Sequence, residues 1–182
     1  MTDFWKHLNE LSDSRGRLYA AVIGNDVHGA HVLDLNCGKA PVFEYLDGYA
    51  SYYGNDVQSD FIDELQEKIL GRKAVFELKD DKDISVDRVD VLMFIGACGA
   101  VIHWGPNPES CTDFKTFMRI IGEHHPRVVL FEAAQEICEK ARTTEIEDGI
   151  RKAGYDLDVK MDVTFGSGGY RRRLLWKWRK QV

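Results

Sequence analysis

The stretch HVLDLNCGKA, residues 31–40, decides the fold. Val32, Leu33 and Leu35 form a short apolar run around Asp34, and the run ends in a turn of small residues before Pro41. A run this short and this apolar predicts a strand covered on both faces. The turn that follows lets backbone N–H groups come close to a ligand, and a helix start beyond it favours negative charge there. Asn36-Cys37-Gly38-Lys39-Ala40-Pro41 holds a single glycine, so the G-x-G-x-x-G fingerprint of dinucleotide binding fails.

Outward from this turn, strand and helix patterns alternate. RGRLYAAVIG before it has helical apolar spacing, with Ser14 as a candidate cap, as does DFWKHLNEL at the start. A short helix is expected near Pro41 to Leu46, since proline suits a first helical turn. SYYGNDV reads as a second strand. Ser59 is expected to cap an amphipathic helix with Phe61, Ile62, Leu65 and Ile69 on one face, stopped by Gly71. AVFEL and DVLMFIG are the third and fourth strands, and RVVLFEA, after the helix DFKTFMRIIGEHH, is the fifth. Thr144 to Glu147 fits a capping box for a helix that ends at Gly154. DLDVKMDVTF and YRRRLLWKW, joined by GSGG, suit a closing hairpin. Parallel neighbours need crossover connections, so this order predicts an α/β three-layer sandwich around a mainly parallel sheet. Ligands in such sheets bind at the carboxyl ends of the strands. The expected organisation is one domain over 1–182, with N-terminal helices over 1–28 and the hairpin over 156–178.

VLDLNCG resembles motif I of the class I S-adenosylmethionine-dependent methyltransferases, whose usual form [D/E]-x-G-x-G-x-G is often written VLDLGCG. The resemblance implies a Rossmann-like, seven-stranded sheet of order 3-2-1-4-5-7-6 with a C-terminal antiparallel hairpin, S-adenosyl-L-methionine as cofactor, and methyl transfer as activity. It implies that Asp34 lies near the methionine end of the cofactor and that Asn36 and Gly38 pass their backbone beside it. A carboxylate suits a ligand that carries an ammonium and a sulfonium. Asn36 and Ala40 stand where the family has glycine. Asn is the side chain best suited to a left-handed backbone, and Ala is the smallest after glycine.

Asp56 ends the second strand, 56 − 34 = 22 residues beyond Asp34. Folds that bind an adenosyl group place an acid about 20 residues on, where it accepts the ribose hydroxyls. The resemblance gives Asp56 that role, with Val57 against the adenine face and Asp80 or Asp81 near the adenine amino group. It also places the loop after the fourth strand, from Gly96, beside the methyl group. There His103 is the residue that titrates near neutrality and is the first candidate base. Trp104 and Asn107 are candidate walls of the acceptor pocket. Asn107-Pro108 is followed by Glu109 and Ser110, not by the Pro-aromatic pair of amino-group methyltransferases, which disfavours DNA-base and protein-glutamine acceptors. Glu132, at the end of the fifth strand, is a second candidate base or a ligand for an acceptor amine. Cys98 is expected to be an inert buried thiol.

A formal charge of −6 argues against a general nucleic-acid binder. YRRRLLWKWRK, residues 170–180, is the local exception, since interleaved Arg and Trp can bind RNA by phosphate contact and stacking. Its more ordinary role is a strand with one face in the core and the other under a helix that carries acids. The four cysteines are scattered, with no metal-ligand spacing. No apolar run reaches membrane-spanning length and the N-terminus lacks a signal layout, so a cytoplasmic protein is expected. The leading expectation is a methyltransferase acting on a small-molecule or macromolecular acceptor, the former favoured. The alternatives are a cofactor-binding module without turnover and an RNA-binding protein that uses the basic strand.

Overall fold

The computed structural model describes residues 14–95, 112–134, 142–164 and 172–182. Seven strands form one sheet of order β3-β2-β1-β4-β5-β7-β6, the order expected. These are β1 (His31–Asp34), β2 (Ser51–Asp56), β3 (Ala74–Leu78), β4 (Val91–Phe94), β5 (Val128–Ala134), β6 (Tyr155–Thr164) and β7 (Arg172–Lys180). The first five run parallel, and β7 inserts antiparallel between β5 and β6. Among the described residues, four helices flank the sheet: α1 (residues 14–23), α2 (Ser59–Lys68), α3 (Thr112–His124) and α4 (Arg142–Lys152). None of them is long and apolar enough to cross a membrane.

The central strands are largely apolar because both of their faces are covered, β4 throughout, while β1 and β5 each bury one acid, Asp34 and Glu132. Val128 and Leu130 of β5 point into one core with Val32, Tyr52 and Met93, beneath Tyr19 and Ile23 of α1 and Ile62 and Leu65 of α2. Val129 and Phe131 point the other way, into a core with Leu33, Leu92 and Trp176 beneath Phe117 of α3 and Ile146 and Ile150 of α4. The result is the three-layer sandwich.

Local details depart from the sequence reading. The helix expected near Pro41 is only a 3-10 turn, Phe43–Tyr45, because left-handed residues up to Ala40 use up the space before it. Ser59 is the first helical residue of α2 rather than its cap; Gln58 takes that place without a side-chain bond, and its N–H donates to Asp56 instead. Thr144 lies inside α4, which already includes Arg142, so Glu147 closes no capping box. Its carboxylate accepts from Lys160 Nζ at 2.8 Å and Trp176 Nε1 at 2.9 Å, tying α4 to the hairpin. The helix expected over DFWKHLNEL and the GSGG link lie outside the described residues.

Candidate cofactor site at the carboxyl edge of β1 and β2

Asp34 ends β1, and its side chain is 1% exposed. The Tyr52 hydroxyl of the neighbouring strand donates to its Oδ2 at 2.6 Å. Its Oδ1 is buried and has no hydrogen-bond partner among the described residues. Burial above all pushes its pKa up to about 7; the Tyr52 bond pulls against this and nearby Asp56 adds to it. A buried acceptor left unpaired costs about 1–3 kcal/mol, more when charged. An arriving ammonium would supply the missing partner, so the site fits a cationic ligand.

The turn after Asp34 has three left-handed residues in alternation: Asn36 (φ 51°), Gly38 (φ 54°) and Ala40 (φ 43°). These are the three positions at which the motif carries glycine. A left-handed non-glycine residue costs roughly 1–2 kcal/mol, least for Asn. The loop therefore keeps its shape without two of its glycines, and the surroundings supply the restraint. Asn36 N–H donates to Asn55 Oδ1 at 3.3 Å, Cys37 N–H to Asn55 O at 2.8 Å, and Gly38 N–H to Asp56 Oδ2 at 2.8 Å. Asn55 also donates through Nδ2 to Lys79 O at 3.1 Å, so one buried amide joins the carboxyl ends of β1, β2 and β3. The Cys37 thiol is buried, and burial, with Asp34 and Asp56 beside it, pushes its pKa up. It is an inert filler here.

Asp56 is 7% exposed and stands at the end of β2 as expected. Each of its oxygens accepts one backbone N–H, Gly38 to Oδ2 and Gln58 to Oδ1 at 2.9 Å. A carboxylate has about four lone-pair positions, so each oxygen retains capacity for one more donor. Val57 beside it is 63% exposed, an apolar side chain open at a strand end. Phe61 at the start of α2 faces Gly38, and Lys39 Nζ sits 5.9 Å from its ring while pairing with Glu64 at 2.9 Å. Asp80 accepts Lys82 N–H at 3.1 Å and pairs with Lys82 Nζ at 3.0 Å. Asp81 opens a 3-10 turn. Gly96, Cys98, His103, Trp104 and Asn107 lie outside the described residues.

Glu132 is placed differently from expectation. It lies within β5 and is fully buried, where Arg15 of α1 approaches Oε2 at 3.0 Å and Arg173 of β7 approaches Oε1 at 3.4 Å. The Tyr19 hydroxyl belongs to the same cluster; burial first, then Glu132, raises its pKa far above the usual phenol value. Among the described side chains of β7, the cations are engaged within the chain. Lys177 Nζ pairs with Asp26 at 2.7 Å and donates to Val22 O at 2.9 Å, and Arg179 pairs with Asp26 at 2.8 Å and Asp158 at 2.8 Å. Trp176 and Trp178 are buried on the opposite face. These cations hold the segment from α1 to Asp26 against the sheet, the more ordinary of the two roles expected for the strand. Among the described residues, no cluster of His, Cys, Asp and Glu could hold a metal ion.

Sequence reasoning missed Asn55 and Tyr52. Both sit in SYYGND, where Tyr-Tyr signals a strand and Asn a turn; only the parallel register, which sets Tyr52 beside β1, reveals the bond to Asp34.

No protein-family model matches the chain, and no curated protein does. Solved structures do. Magnesium protoporphyrin IX methyltransferase from Synechocystis PCC 6803, with bound S-adenosylhomocysteine, superposes with a TM-score of 0.73 at 14% identity, covering 100% of this chain and 89% of that one. The N-methyltransferase NodS from Bradyrhizobium japonicum WM9 gives 0.72 at 12% identity, over 96% and 98% of the two chains. The tRNA (uracil-54, C5)-methyltransferase of Pyrococcus abyssi gives 0.62 at 17% identity, over 91% of this chain and 38% of that one. The chain thus has the class I S-adenosylmethionine-dependent methyltransferase fold.

Proposed function

We propose that the chain binds S-adenosyl-L-methionine at the carboxyl edge of β1 and β2 and transfers its methyl group to an acceptor, a small molecule before a macromolecule. The observation that carries this reading is the buried, unpartnered oxygen of Asp34 beneath a loop that keeps three left-handed residues with one glycine. The bound cofactor supplies an electrophilic methyl on a sulfonium. Asp34 receives the ligand's cationic end, and the backbone at Asn36 and Gly38 lines its path. Asp56 accepts the ribose hydroxyls on its remaining lone pairs, while Val57 packs on the adenine and Asp80 or Asp81 meets its amino group. Gly96 would border the methyl group, Trp104 and Asn107 would wall the acceptor, and His103 would take a proton where the acceptor must lose one. Glu132, already between two guanidinium groups, suits holding α1 better than proton transfer.

Calorimetric titration with S-adenosylmethionine, S-adenosylhomocysteine and NAD tests this directly. Micromolar binding of the first two with no heat from NAD is the expected result; silence from all three contradicts it. Methyl transfer to a panel of acceptors then separates an enzyme from a binding module without turnover. RNA binding through the basic strand is disfavoured, because Lys177 and Arg179 are engaged within the chain.

A further inference from the structure

β3 stands at one end of the sheet and pairs on one side only, with β2. Tyr52 N–H donates to Lys73 O, and Lys79 N–H to Asp56 O. In this ladder the odd-numbered residues thus bond inward, and the backbone groups of Ala74, Phe76 and Leu78 point outward, where the Phe76 carbonyl accepts Gln66 Nε2 of α2 at 2.7 Å and no described strand pairs with the three residues. An open edge is a template for another strand unless charge, proline or a bulge blunts it.

The side chains around this edge are unusually apolar for a surface. Among the described residues, the exposed large hydrophobics other than Val182 are Val57, Leu70, Val75 and Leu78, all on the β2–α2–β3 side. The connection from β3 to β4 contains only the 3-10 turn Asp81–Asp83. No helix in that connection covers Val75, which is half exposed, and a groove of about 550 Å³ lies there, lined in part by Leu33, Tyr53, Val75 and Val86.

The geometry points to β3 as a self-association edge, where a second copy of this chain adds its own β3 antiparallel, with the two Val75 residues facing each other across a two-fold axis. Charge selects this register. It sets Lys73 opposite Glu77 of the second copy, twice by symmetry, on the same face as Val75. It also sets Ala74 opposite Phe76, so outward-pointing groups exchange the ladder bonds, the Ala74 N–H of the second copy sharing the Phe76 carbonyl with Gln66 Nε2 or displacing it. Centring the axis on Phe76 would oppose Lys73 and Lys79, and centring it on Glu77 would oppose two carboxylates. The Tyr53 hydroxyl donates to Glu77 Oε2 at 2.5 Å and holds that carboxylate along the Val75 face. An edge blunted against pairing would carry one sign of charge; this one is self-complementary.

Sedimentation velocity of the full chain, with three sets of variants, tests the proposal. A concentration-dependent dimer is expected, and Val75→Lys, which places two ammonium groups at the axis, raises its dissociation constant more than tenfold. Lys73→Glu weakens the dimer, and Lys73→Glu with Glu77→Lys restores it. Val75→Cys forms a disulfide-linked dimer under mild oxidation beyond any formed by the parent chain, since non-hydrogen-bonded antiparallel partners lie within bridging distance. Val75 is half exposed, so these changes leave the core intact. A monomer at high micromolar concentration, a dimer indifferent to Val75→Lys, or a charge swap without rescue overturns the proposal.

Discussion

Two acids are buried on the same face of this sheet, and they have opposite surroundings. Glu132, in β5, lies between Arg15 and Arg173. Asp34, at the end of β1, has one hydroxyl and, among the described residues, no cation. Removing a charge from water costs several kcal/mol, and a buried charge is tolerated when it is paired. Glu132 satisfies that rule and fastens α1 to the sheet. Asp34 breaks it, at the strand end where ligands bind in this architecture. A paired buried charge belongs to the fold, whereas an unpaired one waits for a partner from outside.

Substitution should separate the two acids sharply. The largest effect is expected from Glu132→Ala, which strands two guanidinium groups and costs about 3–5 kcal/mol, read as a lowered denaturation midpoint. Asp34→Asn should act in the opposite direction on the unliganded protein. The folded pKa of Asp34, about 7, lies above its ordinary 3.8, so the folded state holds the proton more tightly. Stability is therefore lost as pH rises from about 4 to 7 and stays low above that window. Thermal melts of Asp34→Asn against the parent should show a gain at pH 8 that vanishes at pH 4. If the variant melts lower at pH 8, the carboxylate is not the liability described.

Ala40→Gly tests the loop with the smallest effect. It relieves a left-handed alanine but loosens the unfolded chain, and the two terms, each about 1 kcal/mol, largely cancel. A change of the melting point within a few degrees and unchanged cofactor affinity are expected. A large rise in affinity would show that the alanine distorts the site.

Much of this was legible in the sequence, and the reasons are physical. The alternation of strands and helices followed from periodicity, because a buried parallel strand and an amphipathic helix leave different patterns, whereas the strand order came only with the resemblance of VLDLNCG to motif I. Asp34 and Asp56 stood out through motif and spacing, and the left-handed turn at Asn36 and Ala40 matched the tolerance of those side chains. Legibility failed where a role depends on register or long-range contact. The Arg15–Glu132–Arg173 cluster joins residues 117 positions apart, and no local pattern announces it. Asn55 looks like turn chemistry until β3 is placed beside it. Helix ends slipped for the same reason: the acceptor that Gln58 N–H finds at Asp56 competes with a cap at Ser59.

The most direct measurement is a calorimetric titration of S-adenosylmethionine into Asp34→Asn beside the parent chain at pH 8. Micromolar binding to the parent is expected, with at least a tenfold loss in a variant that is more stable. Equal affinities would contradict it, because the oxygen left unpartnered at the end of β1 would then have no part in holding the ligand.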